Sequence, residues 1–550
     1  MTHRATPSAT PPPDALRPVA PLWAFGLEGG WLSRHLAAGL AAAAGDAPRL
    51  AGIRDALAAW NVERQPLHPA FAAAALAAGR RLGDPPARRA MCAALARPGA
   101  PRPADAAWPA LRDGPDPDAA QAFLAAALAD PAAAPAWRGR AFDFALAKGR
   151  PRLARAVAAS LAADASLAPV APRILAEAAL AWDGPAAGLT ALADLDRERF
   201  PRFHALAASH CLAETGRRDE ATAILADLWR GQRWHPGLTL RLHALARPLP
   251  PADLDALPGR LFVFLYTCNR AALLEATLDS LAAARLGPAV VTVLDNGGHD
   301  DTPAVCRRAA DRFGPGRFRV LRLPVNIGAP AARNWLAAAH GPGPEDLAAY
   351  VDDDVRLPPD WLEVLAGALA ADPAADAAGA RIVAAAPGAA RLVQSADVRL
   401  LAPDAAHAVR PLINHGPGPD LGLLATVRPC ASVSGCCHLL RGRAIAGGAP
   451  FDVRFSPSQF DDLARDLHGF LAGRRAVYAG VCAVAHHQHA GPAQARDRAA
   501  VGQLAGARAK LDGLFDPARM AVVARRDLDT AWEELSDKWR DLRETRLPGT

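Results

Sequence analysis

Between about Leu22 and Pro250, apolar residues recur at the spacing of amphipathic helices, in stretches separated by short proline and glycine breaks. The clearest stretches are PAFAAAALAAGRRLG, AQAFLAAALAD and RPRLARAVAASLAAD. Each ends at Gly, Asp or Pro, which favour the end of a helix, and β-branched residues are few. The pattern therefore predicts an α-helical region over residues 22–250.

A pair of helices stands out in residues 203–245, FHALAASHCLAETGRRDEATAILADLWRGQRWHPGLTLRLHAL. The first predicted helix ends at Gly216, and Asp219 with Glu220 opens the next. The turn AETGRRDEA resembles the turn inside a tetratricopeptide repeat, where small residues let paired helices pack closely. No period of about 34 residues runs through the rest of the region. We predict a tetratricopeptide-like helical region, with an irregular helical domain as the alternative.

The pattern changes at about Pro258, where continuous apolar runs begin to alternate with helical segments. The runs RLFVFLYTCNR, AVVTVLDNGG, FRVLRLPVN and LAAYVDDDV are typical of strands buried on both faces. The segments between them, AALLEATLDSLAAARLG, DTPAVCRRAADRFG and PAARNWLAAAHG, have helical spacing. Such alternation predicts an α/β domain with a mostly parallel sheet and right-handed crossovers.

The two ends of the chain differ from these regions. Residues 1–21 are rich in Pro, Ala and Thr, and we predict a disordered tail there. After about Gly491 the chain is predicted to be helical to its end, with the charged amphipathic segment DLDTAWEELSDKWRDLRE. The predicted domains are thus 1–21, 22–250, 258–490 and 491–550.

Polar residues follow each predicted strand, where open α/β sheets bind their ligands. These candidate ligand-binding residues are Thr267, Asn269 and Arg270 after the first strand, Asp295 and Asn296 after the second, Asn326, Gly328, Arg333 and Asn334 after the third, and Asp352, Asp353 and Asp354 after the fourth. A further group, Asp300, Asp301 and Thr302, follows the second strand more distantly. Amides at a helix start favour phosphate, and clustered carboxylates hold Mg²⁺ or Mn²⁺. The set suits a nucleotide diphosphate with a divalent metal.

Composition and charge narrow the class of protein. Hydrophobic residues make up 51% and charged residues 21% of the 550, which is typical of a globular protein of several domains. The net charge is +6, but no basic run of the kind that follows a phosphate backbone is present. We therefore expect no nucleic-acid partner.

The cysteines and the apolar stretches bear on the compartment. The eight cysteines form no C-x-x-C pair, which argues against a zinc ribbon and a thioredoxin-type site. Nothing suggests a disulfide framework, so a reducing compartment is expected. The N-terminus lacks the apolar core of a signal peptide, and charged residues or prolines interrupt every apolar stretch before it reaches membrane-spanning length. We predict a cytoplasmic protein without a transmembrane segment, which could contact the inner face of a membrane.

Seven short motifs stand in one order along residues 259–489: TCNR, LDNGGHDDT, NIGAPAARN, VDDDV, SGCCHLLRGRAI with FDVRF, QFDD and VAHH. This region resembles a family-two glycosyltransferase, an inverting enzyme with the GT-A fold. The resemblance covers a little under half of the chain and does not extend to the helical regions. It implies transfer of a sugar from a nucleotide-diphosphate sugar to an acceptor hydroxyl, with inversion and a divalent metal.

The resemblance implies roles for the strand-end acids. Asp295 would hydrogen-bond the base of the nucleotide, whereas the alternative is an Asp-Asn-Gly turn without a ligand. Asp352 and Asp354 correspond to the family's D-x-D motif. Asp352 would face the ribose and the metal, and Asp354 would bind the metal. Strand alternation would turn Asp353 away, and a solvated acidic turn is the alternative for the whole triplet.

A second acidic pair lies in QFDD, where the family has its general base. A carboxylate beside the acceptor hydroxyl removes its proton as the new bond forms. We place the base on Asp462, with Asp461 as the second choice. The sequence departs from the common motif in its first acid, Asp instead of Glu, and in the later position of Asp466 and Leu467. The alternative is a helix N-cap.

A histidine at the end of the strand RAVYAGVCAVAHHQHAG would complete the metal site in this family. His486 is best placed, with His487 and His489 as alternates and a surface cluster as the competing explanation. A nitrogen ligand beside carboxylates suits Mn²⁺ somewhat better than Mg²⁺.

Two other functions compete with this one. A nucleotidyltransferase would normally show a Gly-rich, Arg-containing loop after the first strand, and YTCNRAALLEA has none. A helical-repeat scaffold or binding protein with an inactive transferase domain is the second alternative, which the intact acids oppose. The sugar, the nucleotide and the acceptor, whether protein, lipid-linked saccharide or polysaccharide, are left open by the sequence.

The helical region carries no comparable series of acids and histidines. We expect residues 22–250 to hold or present the acceptor or a partner protein, because paired helices stack into curved surfaces. The alternative is that these helices cover apolar surface of the transferase domain.

Overall fold

The computed structural model describes residues 16–17, 48–385, 388–413, 418–487, 498–545 and 547. Helices occupy the described chain up to Ala246, a mostly parallel sheet with flanking helices follows, and two helices come last. This arrangement confirms the predicted fold class, an α/β domain of the GT-A type between helical segments.

The first region contains twelve α-helices in its described part. They are α1 (Pro48–Arg64), α2 (Pro69–Gly79), α3 (Pro86–Leu95), α4 (Trp108–Arg112), α5 (Pro117–Ala129), α6 (Ala134–Lys148), α7 (Pro151–Ala162), α8 (Ala171–Trp182), α9 (Pro185–Ala191), α10 (Pro201–Glu214), α11 (Arg218–Gly231) and α12 (Pro236–Ala246). Most have proline in the first turn, where its missing N–H costs nothing. The frequent prolines thus begin helices in this region.

Helices α10 and α11 form the pair that the sequence predicted. Gly216, with a φ of 83°, lies in the turn between them. Small residues line the contact, and Ser209 Oγ donates a hydrogen bond to the Ala221 carbonyl at 2.9 Å. The pair packs closely for that reason, while a repeat identity for the region stays a prediction.

The central domain is built on a sheet of ten strands within the described chain. The strands are β1 (Leu261–Thr267), β2 (Val290–Asn296), β3 (Phe318–Leu323), β4 (Leu347–Val351), β5 (Val355–Arg356), β6 (Ala375–Ala384), β7 (Val393–Ser395), β10 (Val427–Cys430), β11 (Cys437–Arg441) and β12 (Arg475–His486), while β8 (Val398–Leu401) and β9 (Arg410–Ile413) form a separate hairpin. The order across the sheet is β10-β12-β6-β11-β4-β1-β2-β3, with β5 on β12 and β7 on β6.

Parallel pairing places the predicted ligand-binding residues at one edge of the sheet. Strands β4, β1, β2 and β3 are parallel neighbours, whereas β11 runs antiparallel between β4 and β6. The helices that flank the sheet are α13 (Ala271–Ala282), α14 (Thr302–Ala310), α15 (Ala329–His340), α16 (Trp361–Ala371), α17 (Gly442–Ala446) and α18 (Asp461–Leu471). Because parallel strands end on the same side, their polar carboxyl ends meet there.

The last described helices, α19 (Arg498–Leu514) and α20 (Pro517–Glu544), pack back onto the central domain. A buried ion cluster fixes α20, since Arg399 contacts both Asp397, at 2.8 Å, and Asp527, at 3.0 Å. No helix of the described chain has the length and apolar character needed to cross a bilayer.

A few apolar side chains of the central domain and of α20 are buried in the core of the helical region. Leu421 and Leu423, which follow β9 in the chain, are buried among the side chains of the N-terminal helices, as are Trp539 and Leu542 of α20. Arg241 of α12 also donates a hydrogen bond to the Ala425 carbonyl at 2.9 Å. The helices therefore cover surface of the central domain.

Candidate active site

The acidic triplet lies just beyond β4, in the turn that leads into β5. Asp353 is buried, accepts a 2.6 Å hydrogen bond from Thr267 Oγ1 and pairs with Arg270 at 2.7 Å. Burial raises its pKa to about 6, against the opposing charge of Arg270. Strand alternation was expected to turn Asp353 away, but the triplet follows the strand, so the alternation does not apply to it.

Asp352, Asp354 and His486 form a cluster whose potential ligand atoms all lie within 4.8 Å of one another. Antiparallel pairing of β5 with β12 sets His486 opposite Val355, the residue after Asp354. Burial would raise the pKa of Asp354, but the neighbouring His486 and the charge of Arg270 lower it. The register of a two-residue strand thus assembles a potential metal site from residues far apart in sequence.

The imidazole of His486 supports a cation in this cluster. Its Nδ1 lies 3.1 Å from Gln394 Oε1, and its Nε2 lies 3.1 Å from Asp354 Oδ1. If Nδ1 carries the proton that Gln394 accepts, a neutral ring presents the unprotonated Nε2 to a carboxylate. A divalent cation held by this cluster would remove that conflict of lone pairs. Two carboxylates and an imidazole are ligands that Mn²⁺ and Mg²⁺ sites tolerate.

The alternate histidines are arranged differently. The ring of His487 accepts a hydrogen bond from the exposed Arg356 at 3.1 Å, and the His487 amide donates to the Asp354 carbonyl at 2.8 Å. His489 lies outside the described residues.

The second acidic pair opens α18. Asp461 is buried and pairs with Arg333 at 2.6 Å. Asp462 is less buried, and its two oxygens accept the amides of Gly435 and Leu463, each at 2.8 Å. Burial, and then the charge of Asp461, raise the pKa of Asp462. The two acids therefore differ in partner: Asp461 holds a guanidinium, and Asp462 is held by backbone amides.

Strained backbone concentrates at this edge of the sheet. Among the described residues, the non-glycine residues with positive φ are Asn269, at 56°, Gln459, at 89°, and Phe460, at 67°. Asn269 follows β1, and the other two directly precede the acidic pair. Such conformations persist where surrounding structure enforces them, often at functional sites.

The loops after β2 and β3 interlock through their own side chains. Asn296 donates to Asn326 at 2.9 Å, and the Asn326 oxygen accepts the amide of Gly328 at 2.8 Å. Asp295 is buried, accepts the Gly298 amide at 2.9 Å and lies 3.3 Å from Arg322. Asp295 thus forms the turn that was its alternative role, while contact with a nucleotide base stays a prediction.

The remaining predicted residues contact helix starts and neighbouring loops. Gly328, with a φ of 82°, precedes α15, and a Cβ there would lie 2.6 Å from Ser456 Oγ. Asn334 exchanges hydrogen bonds with the backbone of Phe451, at 2.7 and 2.9 Å. Asp300 accepts the amides that open α13 and α14. These contacts hold the loops of the site in place.

Three residues of the site were missed in the sequence. Tyr266 donates from its hydroxyl to Asp352 at 3.0 Å, Gln394 meets His486, and Gly435 binds both Arg333 and Asp462. Tyr266 directly precedes the predicted residue Thr267, so its position at the end of β1 could have indicated a place in the site. Gly435 lies in the motif SGCCHLLRGRAI, which was noted without a role for its glycine, and Gln394 lies in a segment without any motif that would single it out.

One family model matches part of the chain. Residues 262–401, 140 of the 550, match the family model described as Glycosyl transferase family 2. No curated protein sequence matches the chain. The match covers β1 to β8, including the acidic triplet, and ends before the second acidic pair.

Solved structures give distant likenesses. GalNAc-T7, solved with UDP, GalNAc and Mn²⁺, is 12% identical over 42% of this chain and 43% of its own, with a TM-score of 0.33. The mannosyltransferase PcManGT from Pyrobaculum calidifontis, in complex with GDP-Man and Mn²⁺, is 18% identical over 62% and 85%, with a TM-score of 0.35. S. aureus TarS is 14% identical over 50% and 43%, with a TM-score of 0.31. The chain thus spans less than half of the length of GalNAc-T7 and of TarS.

The family model matches the part of the chain in which four of the predicted motifs occur in order. Residues 262–401 of the central domain are similar to glycosyl transferase family 2, the family that the motifs predicted.

Proposed function

We propose that this protein transfers a sugar from a nucleotide-diphosphate sugar to an acceptor hydroxyl, with inversion at the anomeric carbon and with a divalent metal. The observation that carries the proposal is the cluster of Asp352, Asp354 and His486 at the carboxyl edge of a sheet similar to family 2. Metal ligands at that edge are where a nucleotide diphosphate would need them.

The donor would bind along the ends of β1 to β4. Arg270 supports this position, because its partly exposed guanidinium already pairs with Asp353 and Asp354 and could reach a diphosphate beside them. We assign donor contacts to the loops that carry Thr267, Asn269, Arg270, Asp295, Asn296, Asn326, Gly328, Asp352 and Asp353. A divalent ion held by the cluster would offset the negative charge that grows on the departing nucleoside diphosphate.

We assign the general base to Asp462. Asp461 is the poorer candidate, because its carboxylate is committed to Arg333 at 2.6 Å. Asp462 accepts hydrogen bonds from two neutral backbone amides, and its raised pKa gives it greater basicity. In the single displacement, the acceptor oxygen bonds to the anomeric carbon as the bond to the diphosphate breaks. The proton of the acceptor hydroxyl passes to Asp462.

Hydrolysis of nucleotide sugars by the full-length protein tests the proposal. Purified protein would be incubated with a panel of UDP- and GDP-sugars, with Mn²⁺, with Mg²⁺ or with EDTA. We expect slow, metal-dependent release of nucleoside diphosphate from at least one donor, and stabilisation of thermal unfolding by the same donor. The released sugar should show the inverted anomeric configuration by NMR. Failure to bind any donor with either metal would contradict the proposal and favour an inactive scaffold.

The role of the helical region is proposed separately. The burial of Leu421 and Leu423 in the core of the helical region supports a covering role, in which the helices stabilise the transferase domain. Presentation of an acceptor or of a partner protein remains compatible with the outer faces of the same helices. We therefore propose covering as the primary role.

A further inference from the structure

A buried arginine joins the two halves of the site. Arg333 lies in α15, and its side chain is 5% exposed. One end of its guanidinium contacts Asp461 at 2.6 Å, and the other donates to the Gly435 carbonyl at 3.1 Å and lies 3.5 Å from Asp352. It thus links the acid that follows β4 to the acid that opens α18.

The surroundings of Arg333 leave little room for a ligand. Its guanidinium carbon lies 5.3 Å from the ring centres of both Tyr266 and Phe451. The Tyr266 hydroxyl donates to Oδ1 of Asp352, the same oxygen that lies 3.5 Å from Arg333. The two terminal nitrogens of this guanidinium are already committed to Asp461 and to the Gly435 carbonyl, although the sequence predicted a donor contact here.

We propose that Arg333 is a positioning residue, which holds Asp461 and Gly435 so that Asp462 is set beside the acceptor hydroxyl. The inference rests on the proposed function, in which Asp462 is the base. Gly435 is the connection between them, since its carbonyl accepts from Arg333 and its amide donates to Asp462 at 2.8 Å. Arg333 would therefore act on the rate of transfer and little on donor affinity.

The packing at Gly435 supports this connection. A Cβ built on Gly435 would lie 2.5 Å from Asp462 Oδ2 and 2.9 Å from Asp462 Cβ. Real Cβ atoms do not approach other atoms so closely, so any side chain at this position must displace Asp462. Gly435→Ala consequently moves the proposed base while changing no residue that would touch the donor.

The test uses full-length variants Arg333→Gln, Asp461→Asn, their double variant, and Gly435→Ala. Calorimetry with UDP and GDP in the presence of Mn²⁺ measures affinity, and release of nucleoside diphosphate at saturating UDP- or GDP-sugar measures kcat. Arg399→Gln is the matched control, because Arg399 is equally buried in an ion cluster outside the site. The double variant removes both charges of the buried pair, so it leaves no unpaired buried charge. Its kcat can therefore still be measured if Arg333→Gln alone fails to fold.

We expect Arg333→Gln and Gly435→Ala to lower kcat by about 100-fold and to change the affinity for the nucleotide by less than about threefold. The double variant should turn over as slowly as Arg333→Gln, because both changes remove one arrangement. Arg399→Gln should lower the melting temperature and leave kcat at an assay temperature below it unchanged.

Two results would overturn the inference while the proposed function stands. The first is an active wild-type protein whose Arg333→Gln variant binds the nucleotide about tenfold more weakly or worse, because Arg333 would then be a donor contact. The other is a double variant whose kcat loss is the product of the two single losses. A wild-type protein that binds neither nucleotide and releases none would refute the proposed function itself, and the inference with it.

Discussion

Replacing Asp462 by asparagine separates the two acids that open α18. The Asp462 oxygens accept two amides, from Gly435 and from Leu463. Asparagine has one acceptor oxygen, so one of these amides would face its NH₂ group. Loss of that hydrogen bond should cost about 1–3 kcal/mol of unfolding free energy. Loss of the base should lower kcat by about 10²- to 10⁴-fold, with donor affinity retained.

The matched variant Asp461→Asn should differ from Asp462→Asn in its stability and in its pH profile. It leaves the buried Arg333 without its anionic partner at 2.6 Å, which should cost about 3–5 kcal/mol of stability. It also removes a charge that raises the pKa of Asp462. The acidic limb of the rate profile, where a base is lost by protonation as the pH falls, should therefore move to lower pH. In Asp462→Asn the same limb should disappear.

The assays are denaturant unfolding for stability, calorimetry with a nucleoside diphosphate and Mn²⁺ for affinity, and release of nucleoside diphosphate at saturating donor for kcat across the pH range. Asp462→Asn that turned over within about tenfold of wild type, with its acidic limb intact, would refute the assignment of the base. If Asp461→Asn instead lost the release of nucleoside diphosphate without any loss of stability, the base would be Asp461.

Three further outcomes are expected. Asp354→Ala, or EDTA added to the wild type, should remove the Mn²⁺-dependent part of nucleotide affinity in calorimetry, and an unchanged affinity would contradict the metal site. Burial raises the pKa of Asp466 from 3.8 to about 6, so its ionisation costs about 3 kcal/mol and stability should fall as the pH rises through that window. Asp466→Asn should abolish this fall in stability between about pH 4 and about pH 7, as measured by denaturant unfolding at both pH values. A variant whose stability depends on pH as that of the wild type does would contradict the prediction. Expression of residues 251–550 alone should give an aggregated product or one that binds no nucleotide with Mn²⁺, because Leu421 and Leu423 lose the helices that bury them; a monodisperse fragment that binds donor would favour acceptor presentation instead.

Much of the fold followed from local patterns. The Ala- and Leu-rich spacing predicted the helices, and prolines in their first turns mark where they begin. The apolar runs predicted β1 to β4, because a strand buried on both faces must be apolar throughout. Parallel strands end at one edge, so the polar residues after β1 and β4 could be expected to meet, as Thr267 and Asp353 do.

The partners of the acids depended on contacts between distant segments. His486 meets Asp354 through the pairing of β5 with β12, and strand pairing is a property of the assembled sheet. Nothing in NIGAPAARN indicates that Arg333 is committed to Asp461, 128 residues later. Gln394 lies in a segment without a motif, yet it is the residue that orients the His486 ring.

By itself, the sequence determined the order of helices and strands, the family to which residues 262–401 are similar, and the residue types at the edge of the sheet. These follow from periodicity and from short motifs, which are local. Only the tertiary structure decided which carboxylate meets Arg270, Arg333 or His486, and that the helical region buries Leu421 and Leu423 of the central domain. The physical reason is that ion pairs and buried contacts act over a few ångströms, and separations of that size between distant segments arise only when the chain is packed.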